Sequence, residues 1–237
     1  MKTKKAELTT QQLVMIIILV LSFAIILFFI FRLGLGGTAD KEICHDSVVK
    51  KSSPVLGKLS GEFNCKTGYT CISGGGQCDE ITVKNTINAN NKDEIYKAIA
   101  EEMANCWWMF GEGKLDYGAG CSICSQIDFD DKIEEKYKDG LSYKEFLDSL
   151  AKPMNVQKSN DNYLYYLYGV SNLNSLFALD KYSLWGIDYQ ADTKISLQGK
   201  FIIATKASGK QHIAPQFPLK TEQISTLECG GNFLTKG

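Results

Sequence analysis

Histidine is scarce in this 237-residue chain, and most simple routes to catalysis go with it. His45 and His212 are the only two, and neither sits in an H-E-x-x-H, nucleophile-elbow or triad setting. His45 directly follows Cys44, but sequence neighbours usually point apart, so a surface histidine is expected. An excess of one charge is equally missing. Setting aside Lys2, Lys4, Lys5 and Arg32 and the early acid Glu7 leaves 22 bases against 26 acids, a net charge of −4 beyond residue 32. Such mild acidity excludes the basic footprint of a nucleic-acid binder and offers no pull toward anionic lipid. There is no internal repeat, and no cysteine precedes Cys44. These absences predict no catalytic residue, no cofactor, no metal and no nucleic-acid partner.

What is present begins with one uninterrupted apolar run, Leu13 to Phe31, 19 residues in which only Ser22 is polar. At ~1.5 Å rise per residue it makes a helix of ~28 Å, which matches the ~30 Å hydrocarbon core of a bilayer. Three lysines precede it and one arginine follows it. The positive-inside rule then places the N-terminus in the cytoplasm and the rest outside, with Leu13–Phe31 in contact with lipid. A cleaved secretory signal is the alternative reading of a basic start and an apolar segment. The run is longer than such signals need, and Leu33-Gly34-Leu35-Gly36-Gly37 offers no clean small-x-small cleavage site.

The residues before the run also carry a pattern. Lys4-Lys5-Ala6, then Glu7-Leu8-Thr9-Thr10-Gln11-Gln12, then the apolar helix, resembles the class III signal of archaeal type IV pilins and related subunits. The resemblance covers the first 31 residues and implies cytoplasmic-side cleavage between Ala6 and Glu7, with the helix retained to bundle in a filament. Gln11 stands where that family usually has glutamate.

Eight cysteines on the exported side read as disulfides. They fall into two groups: Cys44, Cys65, Cys71 and Cys78, then Cys106, Cys121, Cys124 and Cys229. Eight cysteines allow 105 pairings; pairing within each group leaves nine. The first group lies in a stretch poor in large apolar residues, with Pro54 and a Gly-Gly-Gly at 74–76. Crosslinks worth ~2 to 4 kcal/mol each are the expected source of its order. Its spacing lacks the C-x-x-C knuckle of a zinc site. Gln77 and Cys78 stand where a phosphate loop needs lysine and Ser/Thr, so a disulfide-closed turn fits the glycines better.

Cys121-Ser122-Ile123-Cys124 is the one motif with chemistry attached. At a helix start a C-x-x-C makes a thiol–disulfide exchanger, and with Cys106 and Cys229 it makes a metal knuckle. Here Gly118-Ala119-Gly120 precedes it and Gln126-Ile127-Asp128-Phe129 follows with strand-like alternation. Structural disulfides are the simplest reading, and the other two remain open. The acidic residues Asp128, Asp130, Asp131, Glu134 and Glu135 lack EF-hand spacing and read as a solvated loop or helix start.

Two helices are expected. Asn91 and Glu94 open the first, whose buried face carries Ile95, Ile99, Met103, Cys106 and Phe110, and Gly111 and Gly113 end it. Trp107 and Trp108 read as core and shoulder. Ser142 and Glu145 cap the second, with Leu141 placed to staple Phe146, and Pro153 limits it. Later the period shifts to two. Tyr163–Tyr168 reads as β-prone; Trp185, Ile187 and Tyr189 alternate; Ile195, Leu197, Phe201 and Ile203 continue one face, after a polar turn from Tyr189 to Lys194.

The expected fold is therefore α+β: a single N-terminal transmembrane helix, then a disulfide-stabilised extracellular domain in which two helices cover an antiparallel sheet. Its parts are a cytoplasmic N-terminus (1–12), the span (13–33), a small Cys-rich module (34–82) and an α+β ectodomain (83–237). The function it implies is that of a single-pass extracellular structural or interaction protein without catalytic activity, whose partners are cell-surface proteins or its own copies. The alternatives are a pilin-like filament subunit processed after Ala6 and a membrane-tethered thiol oxidoreductase using Cys121 and Cys124.

Overall fold

A computed structural model describes residues 10–32, 36–57, 61–78, 85–153, 162–177, 193–208, 211–215, 218–221, 224, 229 and 233–235. The Ala6–Glu7 junction and the alternating Trp185, Ile187 and Tyr189 lie outside them. Two compact units emerge, residues 1–39 and 40–237.

The first unit is built on helix α1, Thr10–Arg32. Its window Gln11–Phe28 has a mean hydropathy of 2.6, and none of it is buried against protein. The hydroxyl of Ser22 donates to the Ile18 carbonyl at 2.8 Å, so its one polar side chain is satisfied within the helix. Among the described residues this is the one helix that length and composition would let cross a membrane.

The second unit begins inside α2, Gly36–Ser52, which buries Cys44 and Val48. It continues with β1 (Gly68–Ser73), β2 (Asn85–Asn88), α3 (Lys92–Met109), β3 (Gly120–Phe129), α4 (Asp131–Lys136), β4 (Leu141–Ser142), α5 (Tyr143–Leu150), α6 (Tyr163–Tyr168), α7 (Leu173–Phe177), β5 (Lys194–Ile195), β6 (Phe201–Ser208), β7 (Gln211–Ile213) and β8 (Leu219–Lys220). The main sheet runs β2-β1-β3-β6-β7, with β8 pairing the start of β6.

That sheet is mixed, where a purely antiparallel one was expected. β1 is parallel to both β2 and β3, while β3–β6, β6–β7 and β6–β8 are antiparallel. Parallel strands need a long crossover, commonly a helix, and α3 is that crossover between β2 and β3. Residue periodicity reports that a strand exists but not which way its neighbour runs. The cysteine-rich stretch 34–82 contributes β1 to the sheet interior, between β2 and β3.

Both expected helices form as α3 and α5. The Asn91 side chain accepts from Glu94 N at 3.0 Å, while Glu94 reaches the Asn90 N–H at 2.6 Å, one residue earlier than a standard capping box. Ser142 likewise accepts from Glu145 N. On α3 Ile95, Ile99, Met103 and Cys106 are essentially inaccessible, and Phe110 beyond its end joins them. Each such side chain contributes roughly 1.5–3 kcal/mol by leaving water, more than helix propensity supplies. α5 adds Phe146, Leu147 and Leu150 to the same core.

Tyr163–Tyr168 corrects the sequence reading: it is the helix α6 rather than a strand. Asn162 caps it by accepting from Tyr165 N at 2.8 Å, and Gly169, at φ 71°, closes it by donating to Tyr165 O. Two end signals flanking these six residues outweigh the β preference of the aromatics. Ile195, Leu197, Phe201 and Ile203 are all buried, but Ile195 pairs with Leu141 in a separate two-stranded sheet, so the four do not form one strand.

A bulge shapes β3. Ile123 pairs with Ala204 and Ser125 with Ile203, leaving Cys124 as the extra residue. The bulge reverses the alternation. Before it Cys121 and Ile123 face a small cluster with Ile202, Ala204, Ile213 and Leu219; after it Ile127 and Phe129 face the helices. Both sheet faces are therefore apolar at their centre.

Candidate functional site

The cysteines define the most constrained region. All eight are paired: Cys44–Cys65, Cys71–Cys78, Cys106–Cys124 and Cys121–Cys229. Every bond stays within its sequence group. They tie α2 to the chain before β1, close the glycine turn, join α3 to β3, and fasten residue 229 to β3. In the chain-entropy picture the bond spanning 108 residues constrains the unfolded chain most, by about 4.7 kcal/mol for a loop of that order.

Strand geometry decides the C-x-x-C. In a helix, residues three apart share a face; in a strand, they lie on opposite faces. Cys121 and Cys124 both belong to β3, one in the small cluster and one in the main core. Each pairs across its own face, and they are 0% and 3% exposed. The arrangement holds no Cys121–Cys124 dithiol for exchange. Among the described residues no three His, Cys, Asp or Glu side chains converge as metal ligands.

The glycine turn is organised by a residue that the sequence reading left in solvent. Asp130, the N-cap of α4, is fully buried. Its Oδ2 accepts from Ser73 Oγ at 2.7 Å, Gly74 N at 2.8 Å and Gly76 N at 2.6 Å; Oδ1 accepts from Ile133 N at 2.9 Å. Burial alone would raise its pKa, but the bonds from Ile133, Ser73, Gly76 and Gly74 outweigh burial and hold it below the usual carboxylate value. A side chain at Gly76 would collide with the Asp130 carboxylate. Asp130, three residues before Ile133, was legible as a helix start; its reach across 54 to 57 residues was not. Asp131 and Glu135 are exposed, as the solvated reading had it, whereas Asp128 is buried.

The histidines are also more engaged than expected. His45 is not a free surface group: its ring stacks on Trp108 at 4.1 Å and 13°. His45 Nδ1 lies 2.8 Å from the Trp108 carbonyl, which only accepts, so Nδ1 carries the proton. Trp107 is buried and Trp108 forms the half-buried shoulder. His212 packs edge-on against Tyr117 at 5.0 Å, and its Nδ1 is buried without a hydrogen-bond partner. Burial lowers its pKa, with Asp116 pulling the other way.

Next to these lies an unusual turn. Gly111, Glu112 and Gly113 all have positive φ, at 74°, 56° and 71°. Glu112 is the only such non-glycine residue among those described, and it is held by Tyr166 Oη at 2.7 Å and Lys114 Nζ at 2.6 Å. A cleft of about 380 Å³ opens between the start of α3 and the end of α5, lined by Asn91, Asp93, Ser149 and Lys152 among others. Its cations already have acidic partners, Lys152 with Asp93 at 2.8 Å and Lys97 with Glu101 at 3.8 Å.

The chain matches no protein-family model, no curated protein and no solved structure.

Proposed function

We propose that this chain is a single-pass membrane-anchored protein whose disulfide-bonded portion works outside the cell as a structural or interaction protein. The observation that carries the reading is the pairing of two features: an uncharged, outward-facing apolar helix at residues 11–28, and complete oxidation of the eight cysteines that follow it. A bilayer accommodates the first through Leu13–Phe31, and an oxidising compartment supports the second. Lys2, Lys4 and Lys5 orient the N-terminus toward the cytoplasm. The interaction partners are cell-surface proteins or further copies of the chain.

A second reading is favoured by the Lys4-Lys5-Ala6-Glu7 junction, which resembles a pilin-type signal: the same anchor, cut after Ala6, becomes the core of a filament. The oxidoreductase reading draws no support from the geometry, since Cys121 and Cys124 belong to separate bonds.

Intact mass of the membrane-extracted protein, with alkylation before and after reduction, tests these readings. Full blocking with Met1–Ala6 retained supports the plain anchor; full blocking with those six residues lost supports the processed subunit. Alkylation before reduction would overturn the disulfide-bonded exterior common to both.

A further inference from the structure

The four disulfides differ in how they are reached and in what their loss would release. Cys44, Cys65, Cys106 and Cys124 are at most 3% exposed, so neither end of Cys44–Cys65 or of Cys106–Cys124 is open to a reagent. Cys71–Cys78 has one buried end, Cys71, and one partly exposed end, Cys78. Cys121–Cys229 shares that asymmetry, but it spans 108 residues where Cys71–Cys78 spans 7. In the chain-entropy picture the shortest loop restrains the unfolded chain least. The fold therefore loses least when Cys71–Cys78 is open.

Both ends of this bond are also held without it. Cys71 lies inside the sheet, opposite Thr86 of β2 and Asp128 of β3. The turn leading to Cys78 is fixed by Asp130 through Ser73 Oγ, Gly74 N and Gly76 N. Gly75 N adds a bond to Ser73 Oγ at 3.0 Å, and Lys132 Nζ donates to the Gly75 carbonyl at 2.8 Å. Cys78 Sγ lies 3.6 Å from the Asp128 carbonyl oxygen. A disulfide sulfur has no proton to give that acceptor, whereas a thiol S–H does.

We infer that Cys71–Cys78 is a redox-sensitive bond, opened through Cys78 by a small thiol in the surroundings while the fold around it stays. The thiolate attacks Cys78 Sγ, forms a mixed disulfide and expels the Cys71 sulfur, which takes up the proton that the attacking thiol gave up. A second small thiol attacks its own kind in the mixed disulfide and releases Cys78 as a thiol. Two small thiols are thereby oxidised to their disulfide, and one protein disulfide is reduced to two thiols. The freed Cys78 S–H donates to the Asp128 carbonyl, and the Asp130 bonds keep the turn in place for the reverse reaction. Closed, the bond ties residue 78 to β1; open, it leaves Ser73–Gly76 fixed and residue 78 released.

The inference rests on the disulfide-bonded exterior proposed above, and one experiment separates their failures. Full-length protein in detergent is exposed to graded 2-mercaptoethanol, trapped with iodoacetamide and peptide-mapped, with near-ultraviolet circular dichroism read on the same samples. The expected result is labelling of Cys71 and Cys78 alone at a thiol concentration about tenfold below that needed for the other six, with the spectrum unchanged. The disulfide of 2-mercaptoethanol restores the blocked state. In hydrogen exchange, Cys71→Ser/Cys78→Ser keeps the protection of the Gly74 and Gly76 amides, and adding Asp130→Asn removes it. Labelling of all eight cysteines together, earlier opening of another bond, or loss of that protection in the double-serine variant overturns the inference and leaves the exterior reading standing. Alkylatable thiols before any reductant overturn both.

Discussion

The Asp130 carboxylate accepts the backbone N–H of Gly76 at 2.6 Å across 54 residues of chain. One buried anion thereby holds the glycine turn that Cys71–Cys78 closes. Covalent and hydrogen-bonded restraints act on the same few residues.

Asp130→Asn keeps the size but turns an NH2 toward at least one of the four donors. Hydrogen bonds to charged groups are worth about 1.5–3 kcal/mol each, and leaving a buried donor unmet adds to the loss. The expected destabilisation is about 2–3 kcal/mol, read as a lower urea midpoint at unchanged slope in detergent-solubilised protein. An unchanged midpoint would mean that Cys71–Cys78 alone sets the turn.

The reading of Asp130 shows what was legible. Helix starts at Asn91, Ser142 and Asp130 follow from local chemistry, because a cap and its N–H lie within three residues. The partners of Asp130 in the glycine turn depend on β1 lying parallel beside β3, which no local pattern encodes. Tyr163–Tyr168 misleads for a related reason: its aromatics favour a strand, but the cap at Asn162 and the left-handed Gly169 make it a helix. The C-x-x-C was recognised as a motif, but its meaning turned on strand against helix, and the strand's first half was hidden by the bulge at Cys124.

Gly113→Ala tests the left-handed turn. At φ 71° an alanine is strained, and its Cβ would come within 2.9 Å of the Trp107 ring. Strain of order 1–2 kcal/mol plus the clash is expected to lower the melting temperature by several degrees and to shift tryptophan fluorescence. Gly118→Ala, also at positive φ but with open space around it, should cost less.

Acid stability is expected to carry a histidine signature. Burial lowers the folded-state pKa of His212 below its ordinary 6.5, so the unfolded chain binds the proton first. Stability from this group is full above about pH 6.5 and declines as pH falls toward the folded-state value. His212→Gln should flatten a plot of unfolding free energy against pH in that window. The Asp130 contribution, whose pKa is held down, is lost only at lower pH. Identical slopes for the two proteins between pH 6.5 and 5 would assign the acid response elsewhere.

Charge at the centre of α1 tests the anchor. Leu19 is exposed on that helix, and a lysine at the centre of a span costs roughly 2.5–3.5 kcal/mol in insertion. Leu19→Lys should move a large share of the protein from the carbonate-resistant membrane fraction to the soluble one. Unaltered fractionation would count against a lipid-embedded helix.

The route of the chain through β3 also imposes an order in time. Synthesis from the N-terminus presents Cys44, Cys65, Cys71 and Cys78 early, and their bonds span only 21 and 7 residues. Cys121 must wait for Cys229, 108 residues later. Until that cysteine is made, Cys121 has no partner, and the apolar cluster around Ile202 and Ile213 lacks the packing that Cys229 adds. A chain stopped short of residue 229 therefore lacks the sulfur that pairs with Cys121.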